Sequence, residues 1–252
     1  MTRALIVVDV QPTFCEGGEL PIVGGNAVAE RVAAYVPAHR KEYALVATTQ
    51  DWHIDPGTHF SDQPDFVDTW PKHGVAGTAN AQLHPALADL APDASVKKGQ
   101  YAAAYSGFEG VDDAGVGLDQ LLKDAGVDSL DIVGLALSHC VRDTALDAAS
   151  KGYQVRVLTN LTEPVSPELG RVARADMSAA GIELAHSSAT QCTAGSRVSQ
   201  DQAQPGDLVC WDGHVALYAG GNTIVEAATE GVPVRETTVY QMAGGPYYVH
   251  IN

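Results

Sequence analysis

The chain has 252 residues, 45% of them hydrophobic and 18% charged, enough to bury one large core or two smaller ones and too apolar for wholesale disorder. Fifteen Lys and Arg against 31 Asp and Glu leave a formal charge of −16, which argues against a nucleic-acid or anionic-membrane partner. No run reaches the roughly 18 apolar residues of a transmembrane helix. The stretch from Met1 to Asp9 lacks the longer apolar core and cleavage site of a signal peptide. The four widely spaced Cys, without a CxxC, suggest no disulfide framework and a reducing, cytoplasmic setting.

In chain order, Ala4 to Val8 reads as a buried strand ending in Asp9. Asn26 to Lys41 reads as a helix, with Val28, Val32, Tyr35 and Val36 at helical spacing. Tyr43 to Thr48 is a second apolar run and leads into Gln50-Asp51. Leu118 to Ala125, Val141 to Lys151 and Pro167 to Ala180 read as helices. Leu130 to Leu137, Val155 to Thr159 and Ile182 to Ala185, each preceded by a glycine stop, read as strands. This alternation, with continuous rather than alternating apolar strands, predicts a parallel α/β sheet with helices on both faces. Ligands in such sheets bind beyond the carboxyl ends of the strands, where Asp9, Asp51 and Cys140 fall. The pattern changes near Ser187-Ser188. Residues 189–252 carry short strand-like pieces (207–211, 214–218, 223–227, 232–235 and 247–251) parted by turn residues, which predicts a small antiparallel β tail. The expected division is 1–188 and 189–252.

Four constellations could carry chemistry. Asp51-Trp52-His53, followed by His59 and His73, offers ligands for a divalent metal such as zinc, iron or manganese, since in an extended chain residues two apart share a side. A His-rich surface loop gives the same pattern. Ser138-His139-Cys140 lies at a strand-to-helix junction, where free N–H groups and the helix dipole would lower a thiol's pKa and could form an oxyanion hole. A buried structural cysteine is the plainer alternative. His139, adjacent to Cys140, is expected to point the other way and is a poor candidate base. Asp9 and Lys98 would complete an Asp-Lys-Cys triad, although each alone reads more readily as an ion-pair partner. Phe14, Trp70, Tyr101 and Tyr105 fall in expected loops and would suit a flat ring or cap the core.

Taken together these stretches resemble the nicotinamidase/pyrazinamidase group of the isochorismatase-like hydrolases. The matching segments are Asp9-Val10-Gln11…Phe14-Cys15-Glu16-Gly17-Gly18, Asp51-Trp52-His53…Gly57-Thr58-His59-Phe60, Trp70-Pro71-Lys72-His73, Lys98-Gly99…Tyr105-Ser106-Gly107-Phe108 and Val133-Gly134-Leu135-Ala136…His139-Cys140-Val141. The resemblance implies a metal-dependent cysteine amidase of NAD salvage that turns nicotinamide, and pyrazinamide as well, into the acid and ammonia. It implies Cys140 as nucleophile, Asp9 as base and Lys98 as third member. It further implies Asp51, His53, His59 and His73 as ligands of one divalent ion, Phe14, Trp70 and Tyr105 as the substrate pocket, and the N–H groups of Ala136 and Cys140 as the oxyanion hole, with a cis Leu135–Ala136 bond. Two departures stand out. Ser138 occupies a position where the family usually has an acid, which keeps an inactive relative in view, and Pro12-Thr13 replaces its usual Asn-Asp type pair. An amidase for a different small amide is the alternative within the family. Oligomeric state is open.

The tail resembles the second half of NlpC-type cell-wall cysteine peptidases, through Gln204-Pro205-Gly206-Asp207-Leu208-Val209-Cys210-Trp211 and His214-Val215-Ala216-Leu217-Tyr218. His214 would be the base, but nothing supplies the nucleophile, and Cys192 and Cys210 lie in the wrong context. The expectation is a non-catalytic partial module, with a cell-wall-binding role as the alternative.

Overall fold

A computed structural model describes residues 1–185, 191–192, 195–212, 214–228, 232–242 and 244–250. The chain divides into two compact units, Met1–Ala185 and His186–Asn252. The expected boundary between 188 and 189 lies outside the described residues.

The first unit is a six-stranded parallel sheet. Its strands are β1 (Arg3–Val8), β2 (Leu45–Asp51), β3 (Ala94–Lys98), β4 (Ser129–Leu135), β5 (Gln154–Glu163) and β6 (Glu183–Ala185), in the order β3-β2-β1-β4-β5-β6. The central strands are buried along almost their whole length because both faces are covered. Leu5 and Val7 pack with Val28, Val32 and Val36 of α1 (Gly25–His39) on one side. Ala4, Ile6 and Val8 pack on the other with α2 (Leu118–Asp124), α3 (Arg142–Ser150) and α4 (Pro167–Ala179). The chain order changes direction between β1 and its neighbours β2 and β4, which opens a crevice at their carboxyl ends. Gly134 adopts φ 113° at the irregularity between β4 and β5, and an added Cβ there would lie 2.0 Å from the Val8 carbonyl oxygen, so only glycine fits.

The third helix differs from expectation at its start. Leu137–Val141 forms one widened turn, with the N–H groups of His139 and Val141 both donating to the Ala136 carbonyl, and regular helix begins at Arg142. Strand β3, Ala-Ser-Val-Lys-Lys, has too few apolar residues to stand out in the sequence.

The second unit is an antiparallel sheet of β7 (Ser196–Val198), β8 (Leu208–Trp211), β9 (His214–Gly220), β10 (Thr223–Glu226), β11 (Arg235–Thr238) and β12 (Tyr247–His250), in the order β11-β10-β9-β8-β12-β7. Period-two alternation along β8 sends Val209 and Trp211 to one cluster with Tyr218, Ile224 and Tyr248, and Leu208 and Cys210 to another with Val249 and Cys192. Three corrections follow. Strand β7 was missed, because Ser196-Arg197-Val198 is short and polar. The strand expected at 232–235 starts at Arg235, where pairing with Glu226 begins. Cys192 and Cys210 form a disulfide across 18 residues of sequence, because the sheet brings both onto one face; spacing alone carries no trace of that. Residue 251, the expected end of the last strand, lies outside the described residues.

Candidate active site

Asp9, Asp51 and Lys98 leave the carboxyl ends of β1, β2 and β3, and Cys140 sits in the widened turn beyond β4. The sheet therefore converges them, and all four are buried. Lys98 is the hub. Its Nζ lies 3.0 Å from Asp9 Oδ2, contacts Asp51 Oδ1, donates to the Ala104 carbonyl at 3.0 Å and lies 3.6 Å from Cys140 Sγ. Asp9 is a non-glycine residue at φ 46°, a sparsely populated conformation, and the hydroxyl of Thr49 donates to its Oδ1 at 2.6 Å. Gln11 braces the backbone that carries the second carboxylate: its amide donates to the carbonyls of Asp51 at 3.0 Å and Ala81 at 2.7 Å and its oxygen accepts from the Asp51 N–H at 2.9 Å. Thr49 goes unmarked in the sequence, and Gln11 stands there only as part of a matching segment, since nothing in a Thr on β2 or a Gln in the loop after β1 marks it as a brace.

The charges follow from burial and proximity. Burial raises the Asp9 carboxyl above its usual range; Lys98 opposes this and Asp51 adds to it. Burial works hardest against the charged forms of Asp51 and Lys98, but Lys98 together with His53 and His73 holds Asp51 well below the carboxylate range, and Asp51, Asp9 and Cys140 together hold Lys98 well above the ammonium range. Burial pushes the Cys140 thiol well up, Lys98 opposes, and Asp9 and Asp51 push it further. This corrects the expected lowered thiol pKa, because two carboxylates and a dry site outweigh the helix terminus. Burial and the two carboxylates thus favour the protonated thiol at rest, and an attack by sulfur requires a base to take its proton, for which Asp9, joined to the same Lys98 ammonium, is the neighbouring carboxylate.

Beside this cluster, the nitrogens of His53, His59 and His73 come within 4.8 Å of one another, and all three rings are buried. His53 Nδ1 donates to the Gly99 carbonyl at 2.6 Å and His73 Nδ1 to that of Pro71 at 2.8 Å, which leaves each Nε2 bare. Those Nε2 atoms lie 3.6 and 3.7 Å from Asp51 Oδ2. Burial, with His73 and His53 nearby, holds His59 down to about 4 and therefore neutral. His53 Nε2 and His59 Nδ1 are buried without a hydrogen-bond partner among the described residues. Bare imidazole nitrogens converging with a carboxylate oxygen fit a divalent ion. Gly99 is required here: at φ +72° its Cβ would lie 2.5 Å from the His53 ring.

A cavity of about 380 Å³ opens against both clusters, near the lower end of the roughly 300–1,000 Å³ of small-molecule sites. Phe14, Trp70, Tyr105, Ala136 and Cys140 line it, with Asp51, His59 and His73 at its floor. Trp70 Nε1 donates to the Tyr105 hydroxyl at 2.9 Å, which fixes the indole. Tyr101 is 69% exposed and does not line the cavity. His139, expected to face away, also lines it, because the widened turn rather than a strand end sets its direction; its ring meets that of Trp70 at 5.7 Å, and burial lowers its pKa. Ser138 Oγ accepts from the Val165 N–H at 3.1 Å and pairs with His139 Nδ1 at 3.0 Å, so this hydroxyl ties the turn to the loop after β5. The Leu135–Ala136 bond is cis.

In the second unit, His214 Nε2 lies 2.8 Å from Glu226 Oε2, which also accepts from the Tyr240 hydroxyl at 2.6 Å, while Arg235 holds Oε1. The two free cysteines of the chain, Cys15 and Cys140, both belong to the first unit.

A three-layer α/β fold with a buried cysteine, an Asp-Lys pair and three converging histidines suited to a divalent ion is the class that fold and site define. The isochorismatase domain family matches residues 3–189, and the chain belongs to it. It is 49% identical to the nicotinamidase/pyrazinamidase of Mycobacterium tuberculosis over 186 residues, 74% of this chain and 100% of that protein. Among solved structures it resembles the pyrazinamidase of Pyrococcus horikoshii in complex with zinc, at TM-score 0.64 and 34% identity, covering 74% of this chain and 99% of that one. It also resembles an L. infantum protein in complex with nicotinate, at TM-score 0.62 and 33% identity, covering 73% and 92%. The NlpC/P60 family matches residues 172–250.

Proposed function

We propose that the chain is a metal-dependent cysteine amidase that hydrolyses nicotinamide, and pyrazinamide as well, to the acid and ammonia, a step of NAD salvage. The observation that carries this is the position of Lys98, whose ammonium touches Asp9, Asp51 and Cys140 at once and so joins a nucleophile-and-base pair to a metal cluster on one cavity wall. Relatives at high identity with this activity support the reading. His53, His59, His73 and Asp51 would hold the ion, whose identity we place among zinc, iron and manganese. When bound, it would supply Lewis-acid chemistry at the cavity wall.

The chain's own groups perform the remaining work. Phe14 and Trp70 sandwich the pyridine ring and set the carboxamide over Cys140. Asp9 takes the thiol proton as sulfur attacks the carboxamide carbon, and Lys98 keeps the resulting charge balanced. The N–H groups of Ala136 and Cys140 receive the oxyanion. Asp9 returns the proton to the departing ammonia, then takes one from the water that attacks the nicotinoyl thioester and passes it to the Cys140 sulfur as the carbon–sulfur bond breaks, which restores the thiol. Ser138 serves by holding the turn rather than by carrying charge, so we expect an active enzyme despite the missing acid.

We assign the tail a non-catalytic role, since His214 and Glu226 have no free cysteine in their unit. A free nucleophilic thiol favours a cytoplasmic setting, and the Cys192–Cys210 disulfide weighs against it. The test is stoichiometry. Nicotinamide should yield nicotinate and ammonia in equal amounts, and a folded, metal-loaded protein that releases ammonia from neither nicotinamide nor pyrazinamide would overturn the reading.

A further inference from the structure

Phe66 stands at the cavity mouth in a conformation that its own burial does not explain. Its φ is +58°, the left-handed region that bulky residues rarely occupy, and the residue is 58% exposed, so core packing does not offset that strain. A closed loop imposes the conformation. Asp65 Oδ1 accepts from the N–H groups of Val67, Asp68 and Thr69 and from the Thr69 hydroxyl, each at 2.9 Å; the Asp65 N–H reaches Thr69 Oγ1 at 2.9 Å and the Phe66 N–H reaches the Thr69 carbonyl at 3.1 Å. The next residue is Trp70, and the Phe66 ring meets the indole edge-on at 6.0 Å and lines the cavity together with Leu20, Pro21 and Val165. A glycine would satisfy this backbone without strain, so the phenyl ring is what the position retains. A strained, exposed aromatic that lines a cavity is buried further when a ligand fills that cavity.

We infer that Phe66 is a specificity-determining residue of the amidase, closing over the outer edge of a bound pyridine carboxamide and limiting the size of ring substituents. The inference rests on the proposed reaction. Three proteins test it: wild type, Phe66→Gly and Phe66→Tyr, compared in melting temperature and in kcat and KM for nicotinamide and 5-methylnicotinamide. Phe66→Gly should melt no lower than wild type, because it relieves the backbone. Its KM for nicotinamide should rise about three- to tenfold, the range of a lost aromatic contact, with kcat held within about twofold. Its preference for nicotinamide over the methylated amide should shrink, and Phe66→Tyr should behave as wild type. An unchanged KM and preference in Phe66→Gly, or a raised KM accompanied by a lower melting temperature in both variants, would overturn the inference. Should wild type release no ammonia, the proposed reaction fails by itself. Nicotinate titrations followed by tryptophan fluorescence then decide about Phe66: a Kd raised by a similar factor in Phe66→Gly supports it, and an unchanged Kd or no binding by wild type refutes it.

Discussion

At the scale of single residues, the site depends on groups that cannot be moved by one atom without consequence. Gly99 carries the carbonyl that fixes the His53 tautomer, and its missing Cβ is the space into which the imidazole packs. Gly99→Ala should displace His53, lowering metal affinity by about 10- to 100-fold, the range seen when the support of a metal ligand is lost. Metal content after dialysis at fixed free zinc checks this, with circular dichroism confirming that the fold persists; wild-type metal retention would contradict it. The residues legible in the sequence were those whose type is itself the signal: Asp51, His53, His59, His73 and Cys140. Thr49 and Gln11 brace the two carboxylates through backbone and hydroxyl contacts, and no residue type announces that role. The state of Cys140 was misread for a related reason: a helix terminus is visible in sequence, whereas two carboxylates converging from β1 and β2 are not.

At the scale of elements, the continuous apolar runs of β1, β2 and β4 made the parallel sheet readable, because strands covered on both faces need no alternation. Strand β3 was nearly invisible, since Ala94-Ser95-Val96-Lys97-Lys98 lies at the sheet edge and owes its place to pairing with β2. In the antiparallel unit, the Cys192–Cys210 bridge and the link from Glu226 to His214, Arg235 and Tyr240 join segments distant in sequence, which spacing cannot foretell. That link has a pH signature. Burial works against the ionised Glu226, but hydrogen bonds from Tyr240, Arg235 and His214 outweigh it and lower its pKa below the ordinary 4.5. Its stabilisation is therefore complete above pH 4.5 and is lost as pH falls through the lower folded value. Glu226→Gln should flatten the acid limb of the second unit's stability curve, followed by Trp211 fluorescence against pH. An unchanged acid limb would contradict the assignment.

At the scale of the whole molecule, the sequence carries two unrelated patterns, and the structure divides into two compact units. The mycobacterial relative is matched over its full length by 74% of this chain, so the amidase unit has a counterpart that functions without a tail. A chain ending at residue 188 should keep kcat/KM for nicotinamide within about twofold of the full chain, as expected of independently cored units. A tenfold loss would show that the tail contributes to the pocket. The formal charge of −16 leaves a neutral amide substrate unopposed and adds nothing to the chemistry. The central claim is that Cys140 attacks the carboxamide in a metal-bearing pocket. It is tested most directly by ammonia release from nicotinamide, measured side by side for metal-loaded wild type and metal-loaded Cys140→Ala of equal stability. The account predicts steady release by wild type and a loss of at least about a thousandfold in the variant, the scale on which removing a nucleophile acts; release by Cys140→Ala at the wild-type rate would contradict it.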